Sequence, residues 1–247
     1  RRRHTRSLCD WSSDVCSSDL LCAKSANFIF HDGQELPCAQ LEAMAATRGS
    51  IILQWKTLKV ETAKAFRNAK CQPTLWLDSL PDDSARAIAL STAPEISVQV
   101  HHIGEAAAEA LAQYEGSLHF EFCNYGSFED TNGHVILLRR LIKDASDFYS
   151  LRQQCLGLRV ARVLAESLVK ELNIDVSSLS FSAYEMLAQY KGKLSITVAE
   201  ISASEMKRIL DSANDNAAIE ILVSRWDEQL VAAIGSCRSG DRKSTRL

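Results

Sequence analysis

The sequence is poor in the features that mark several large classes of protein. Its 247 residues hold only four prolines and ten glycines, too few for a collagen-like or low-complexity chain. Long hydrophobic runs are missing. Stretches such as Val135 to Leu138 fall far short of the roughly 18 apolar residues that a membrane-spanning helix needs, and charges interrupt them. Membrane insertion is therefore not expected. Positive charge is not in excess either: 28 Lys plus Arg stand against 31 Asp plus Glu, a formal net charge of −3. No overall basic field is left to hold a phosphate backbone, so nucleic acid is not the expected partner. Catalytic signatures are lacking: there is no G-x-S-x-G, no H-E-x-x-H, no P-loop and no G-x-G-x-x-G between a strand and a helix. Neither enzymatic activity nor a cofactor is expected. Of the eight cysteines, none forms a close pair at metal-ligand spacing. They read as small apolar residues of a reducing compartment, which favours the cytoplasm.

The two ends differ from the rest. Residues 1–20, RRRHTRSLCDWSSDVCSSDL, and 241–247, DRKSTRL, resemble translations of sequencing-library adapter DNA of the kind assembled into metagenomic contigs. Both are expected to be disordered and are set aside from fold reasoning. A reading frame that runs into such strings on both sides leads to the expectation that residues 21–240 are a fragment of a longer protein.

Within 21–240 the chain repeats itself. Ile103 to Gly116 reads IGEAAAEALAQYEG and Leu179 to Gly192 reads LSFSAYEMLAQYKG, each with an apolar anchor thirteen positions before a glycine. Upstream of each, seven residues before the anchor, an alternating run begins: ISVQV from Ile96 and LNIDV from Leu172. One unit is thus strand, short turn, helix, glycine. The template slides along the chain in steps of 22 or 23 residues, anchored at Leu36, Leu58, Leu80, Ile103, Leu179 and Ile201. Asn214 takes the terminal glycine's place in the last of these, and both residue types suit a left-handed helix cap. Period-two alternation marks half-buried strands, and the Ala, Leu and Glu of Glu105 to Tyr114 favour a helix.

A unit this short cannot close a core alone, so neighbouring units must cover one another. The expected fold is α/β: a solenoid of about 22-residue strand-turn-helix repeats, with a parallel sheet on one face and helices on the other. If Ile96, Val98 and Val100 point into the core, then Ser97, Gln99 and His101 point out. One outward column reads Gln54, Trp76, Gln99, Glu121, Asp175 and Thr197; its neighbour reads Ile52, Thr74, Ser97, His119, Asn173 and Ser195. The candidate partner-binding residues are Gln54, Trp76, Asp78, Ser97, Gln99, His101, His119, Glu121, Asn173 and Asp175. An exposed tryptophan among hydrogen-bonding groups suits a contact anchor.

The repeat GEAAAEALAQYEG resembles the leucine-rich repeat, in the bacterial variety with the consensus LxLxxLxxLSxEAAEALAxxxG. The resemblance covers most of Phe28 to Ile234 and implies an α/β arc that serves as a protein-binding surface. The regular asparagine after the strand is missing, so the asparagine ladder of the better-known form is not implied.

Between Leu118 and Leu172 lie 54 residues, about ten more than two repeats occupy. The segment 126–157 is therefore irregular, with a turn-rich loop over Gly126 to Gly133 and an amphipathic helix over Val135 to Lys143. Glu129 and Asp130 lack the alternating carboxylates of a calcium loop. His101 falls four strand positions from the point opposite His119, roughly 13 Å along the strand, which argues against a shared metal. Cys123 and His119 lack a carboxylate suitably spaced to orient a nucleophile and base. The expected role is a protein-interaction scaffold. The alternative is a structural spacer or regulatory arm of a larger signalling or enzymatic protein.

Overall fold

The computed structural model describes residues 26–32, 36–123, 127–145, 147–212 and 219–225, with positions 228, 229 and 231. The adapter-like strings 1–20 and 241–247, Gly126 and Asn214 lie outside the described residues. Strands and helices alternate along the chain. The strands are β1 (Ala26–His31), β2 (Gly49–Thr57), β3 (Gln72–Leu80), β4 (Glu95–Ile103), β5 (Ser117–Phe122), β6 (Phe148–Cys155), β7 (Glu171–Ser178), β8 (Lys193–Glu200) and β9 (Ile219–Val223). Between them lie α1 (Cys38–Ala45), α2 (Val60–Ala65), α3 (Asp82–Ala89), α4 (Glu105–Leu111), α5 (Asn132–Asp144), α6 (Leu158–Ala165), α7 (Phe181–Leu187) and α8 (Ala203–Ser212).

Among the described residues all strand pairs are parallel, and within each of two sheets every strand lies beside its sequence neighbour, in the orders β1-β2-β3-β4-β5 and β6-β7-β8-β9. The helical crossover between strands accounts for the parallel sense. Register follows the repeat: Asn27, Ser50, Gln72, Glu95 and Ser117 lie side by side, as do Phe148, Glu171 and Lys193. Ile96, Val98 and Val100 are fully buried, as are Leu172, Ile174 and Val176 of β7. The anchors Leu58, Leu80, Ile103, Leu179 and Ile201 join them in the core, with Leu36 half-buried at the start. Each buried Leu, Ile or Val contributes about 1.5–3 kcal/mol, so the periodic apolar positions dominate the energetics of every unit.

The two sheets share one core. A single hydrophobic cluster runs from Leu41 to Ile209, and each helix packs against the next from α1 to α8. The helix layer is therefore continuous where the sheet is not. The segment 126–157 holds α5 and β6, and the start of β6 at Phe148 lies 31 residues after that of β5 at Ser117. All of the extra chain sits in this one unit, mostly in the loop before α5 and in α5's thirteen residues.

The glycine of the repeat has a different task from the expected helix cap. α4 ends at Leu111 with Ala112 in a right-handed conformation, and α7 ends at Leu187 with Ala188 likewise. Gly116 and Gly192 stand just before β5 and β8. The Tyr114 hydroxyl donates to the Ala93 carbonyl at 2.5 Å, and the Tyr190 hydroxyl donates to that of Val169, each reaching 21 residues back. A Cβ on Gly116 would meet the Tyr114 ring, and one on Gly192 the Tyr190 ring. The motif LAQYxG is thus a latch: the tyrosine ties one unit to the previous one, and the glycine leaves room for its ring. Burial, with a smaller effect from Glu95, pushes the Tyr114 phenol up to about 12. Burial raises Tyr190 as well, helped by Glu171.

The long unit is held by side chains that cap a neighbour's helix. Among the described residues, Thr131, Ser180 and Ser202 cap their own helices, accepting from His134 N–H at 3.4 Å, Ala183 N–H at 3.3 Å and Glu205 N–H at 3.2 Å. Glu105, on the first turn of α4, accepts the backbone N–H groups of Asn132 and Gly133 at the start of α5. Asp130 accepts those of Arg159 and Val160 at 3.1 and 3.2 Å, at the start of α6. Each carboxylate satisfies helix donors that would otherwise be left over, and it lies at the positive end of the dipole. Asp130 is consumed there, since its carboxylate also fills the space above Gly157. His134 is buried in α5: its Nδ1 accepts from Glu129 N–H at 2.7 Å, which leaves Nε2 to donate to the Ile103 carbonyl at 3.0 Å.

Candidate functional site

The face of the sheets turned away from the core carries the residues singled out from the sequence. Gln54 on β2, Trp76 on β3, Gln99 on β4 and Glu121 on β5 lie in one row, in hydrogen-bonded register. Beside it runs the row Ile52, Thr74, Ser97 and His119. Asp78 and His101 follow on the next row, with His101 Nε2 3.8 Å from the Asp78 carboxylate. In the second sheet Asn173 pairs with Ser150 and Ser195, and Asp175 with Arg152 and Thr197. The first eight candidates thus share the five-stranded sheet, and Asn173 and Asp175 the four-stranded one.

Trp76 is 42% exposed in the middle of its row. Among the described residues, no ion pair or side-chain hydrogen bond joins Gln54, Trp76, Gln99 or Glu121 to another group. Their polar atoms are open to a partner. Other groups on this face are engaged. Gln72 donates to Glu95 at 2.9 Å, and His119 Nε2 lies 3.2 Å from the same carboxylate. Asn173 Oδ1 is enclosed, with no hydrogen-bond partner among the described residues.

Register places His119 opposite Ser97, four positions short of His101. Among the described residues, no group of three or more His, Cys, Asp or Glu is placed to hold a metal ion. The Cys123 thiol is pushed up by burial and by the nearby Glu121 and Asp78 carboxylates. That is the reverse of what activates a cysteine nucleophile. Burial likewise raises Cys71, to about 11.

Sequence reasoning missed the residues of β6, which complete the site. Between β5 and β6 the sheet is interrupted by a cavity of about 320 Å³, lined by Phe120, Glu121, Phe122 and Phe128 on one side and by Tyr149, Ser150, Leu151, Arg152 and Asp175 on the other. Phe120, Phe122 and Phe128 form an aromatic cluster, with ring centroids 5.0 to 5.8 Å apart and edge-to-face contacts of Phe122 with both others. At the lip, Arg152 Nε donates to the Asp175 carboxylate at 2.8 Å. Burial pushes the Tyr149 phenol up. The signal that could have found β6 is its spacing: Tyr149 precedes Leu172 by the repeat's own 23 residues.

No helix among the described residues is long and apolar enough to cross a membrane. Compared with known proteins, the chain matches no protein-family model, no curated protein and no solved structure.

Proposed function

We propose that this chain is a protein-interaction scaffold, a leucine-rich-repeat-like solenoid whose parallel sheets offer their outward rows to a protein partner. One observation carries this reading. The helices cover one side of the sheet, and the row Gln54, Trp76, Gln99 and Glu121 runs across four strands of the other with its polar groups unengaged. A half-exposed tryptophan flanked by amides and a carboxylate has the composition of an interface anchor with a hydrogen-bonding surround. The parallel strands beneath hold these groups at fixed spacing, so little ordering is needed on binding. Strands on one wall and bulkier helices on the other favour a curved stack with this row on its inner side.

The test is a pull-down that compares the chain with the triple variant Trp76→Ala, Gln99→Ala and Glu121→Ala. Partner recovery falls sharply in the variant if the row is the binding surface. Equal recovery of every partner overturns the reading.

A further inference from the structure

We infer that the break between β5 and β6 is a docking groove for one extended peptide strand of a partner, with apolar residues at alternate positions and a lysine or arginine between them. This rests on the scaffold reading and names the class of partner. Among the described residues, β5 pairs only with β4, and β6 only with β7. Among the described residues, no backbone hydrogen bond links β5 to β6. Each strand therefore presents a row of unpaired N–H and C=O groups toward the cavity. Extended backbone is the chemistry that satisfies such an edge.

The walls specify the side chains. On the core side of the cavity lie Phe120, Phe122, Tyr149 and Leu151, which take apolar groups at every second position of a strand. On the outward side Glu121 has no ion-pair or hydrogen-bond partner among the described residues, whereas Arg152 is engaged by Asp175. The uncompensated charge at the lip is negative, which selects a basic residue between the two apolar ones. A second feature lies on the core-facing side of β6, two positions beyond Leu151. Gln153 is 3% exposed, its Oε1 accepts the Phe128 N–H at 3.2 Å, and its Nε2 is enclosed without a partner among the described residues. Buried donors are normally paired.

The probe is a fluorescein-labelled, end-capped peptide, Leu-Ser-Ile-Lys-Val-Ala, which copies Leu194 to Ala199 of β8 with lysine at the position of Thr197, the residue that pairs with Asp175. Fluorescence anisotropy with the full chain should give saturable binding with Kd on the order of 10–100 μM. Replacing the peptide's isoleucine by proline removes a backbone donor, and should weaken binding at least about tenfold. Glu121→Lys should weaken binding of the lysine peptide about tenfold, with an unchanged far-UV circular dichroism spectrum. Ser150→Trp, which narrows the lip from the other side, should weaken it too. Absence of saturable binding, equal binding of the proline peptide, or indifference to both Glu121→Lys and Ser150→Trp overturns the groove. A partner that depends on Trp76 in the pull-down while the peptide fails to bind overturns the groove alone and leaves the scaffold reading standing.

Discussion

The five-stranded and four-stranded halves are built from the same unit but finish their outward faces differently. In the second half, ion pairs bridge adjacent strands: Arg152 with Asp175, Lys193 with Glu171 at 2.8 Å, and Arg225 with Glu200. In the first half, the row through Trp76 has no such pairs among the described residues; Lys56 meets Asp32 at 3.9 Å at one edge, and the neighbouring rows set histidines and an amide against carboxylates. Both halves use the tyrosine latch, at Tyr114 and at Tyr190. The lesson is that the latch belongs to the architecture, because it recurs where the surface chemistry has diverged. The open row belongs to one half, and under the proposed scaffold reading that is where a partner would find unengaged groups.

The largest effect that tests this comparison is on the core that joins the halves. Leu138→Ala in α5, at a fully buried position, should cost about 2–5 kcal/mol. Urea denaturation should still show one transition for the chain; two separate transitions would mean that the halves fold independently despite their shared core. Next come Gly116→Ala and Gly192→Ala, which push a methyl group against the latch tyrosine and should each destabilise by about 1–3 kcal/mol. Similar losses at the two sites confirm an equivalent latch, and a loss at one only breaks the equivalence.

Smaller still are Tyr114→Phe and Tyr190→Phe, each removing one hydrogen bond to a buried carbonyl, at about 0.5–1.5 kcal/mol. Tyr114 also carries a pH signature. Its phenol ionises at about 12 in the folded chain against an ordinary value of 10.0. Its stabilisation is complete below pH 10 and is lost as pH rises toward 12, because the unfolded chain gives up this proton first. Thermal melts across this range should fall less steeply for Tyr114→Phe than for the parent. The smallest effect is expected from Arg152→Ala, about 0–1 kcal/mol for an exposed pair, and it should shrink further with added salt.

The repeating units were legible in the sequence because their energetics reside in a periodic pattern. Val98 or Ile174 can be assigned to the core by alternation alone, and a shared 22- or 23-residue offset then puts Gln54, Trp76, Gln99 and Glu121 in one row. β6 was not legible. Gln153 occupies a buried position where the alternation calls for an apolar residue, while Phe148 is 51% exposed, so its pattern reads neither as strand nor as core. The capping by Glu105 and Asp130 also escaped, since each carboxylate serves a helix 27 to 30 residues further along, and no local motif records a bond of that reach. The glycine of LAQYxG was visible as a constant, but its reason lies in the ring of a tyrosine two positions before it.

In the two latched units, that ring and its hydroxyl bind the unit only to the one before it. A module that refers solely to its predecessor can be copied, lost or lengthened by evolution without rewriting distant parts of the chain. The extra length between Ser117 and Phe148 illustrates such tolerance: one module has grown by eight or nine residues, the neighbouring strands β1 to β5 and β6 to β8 keep their offset of 22 or 23, and the gap so opened provides new surface.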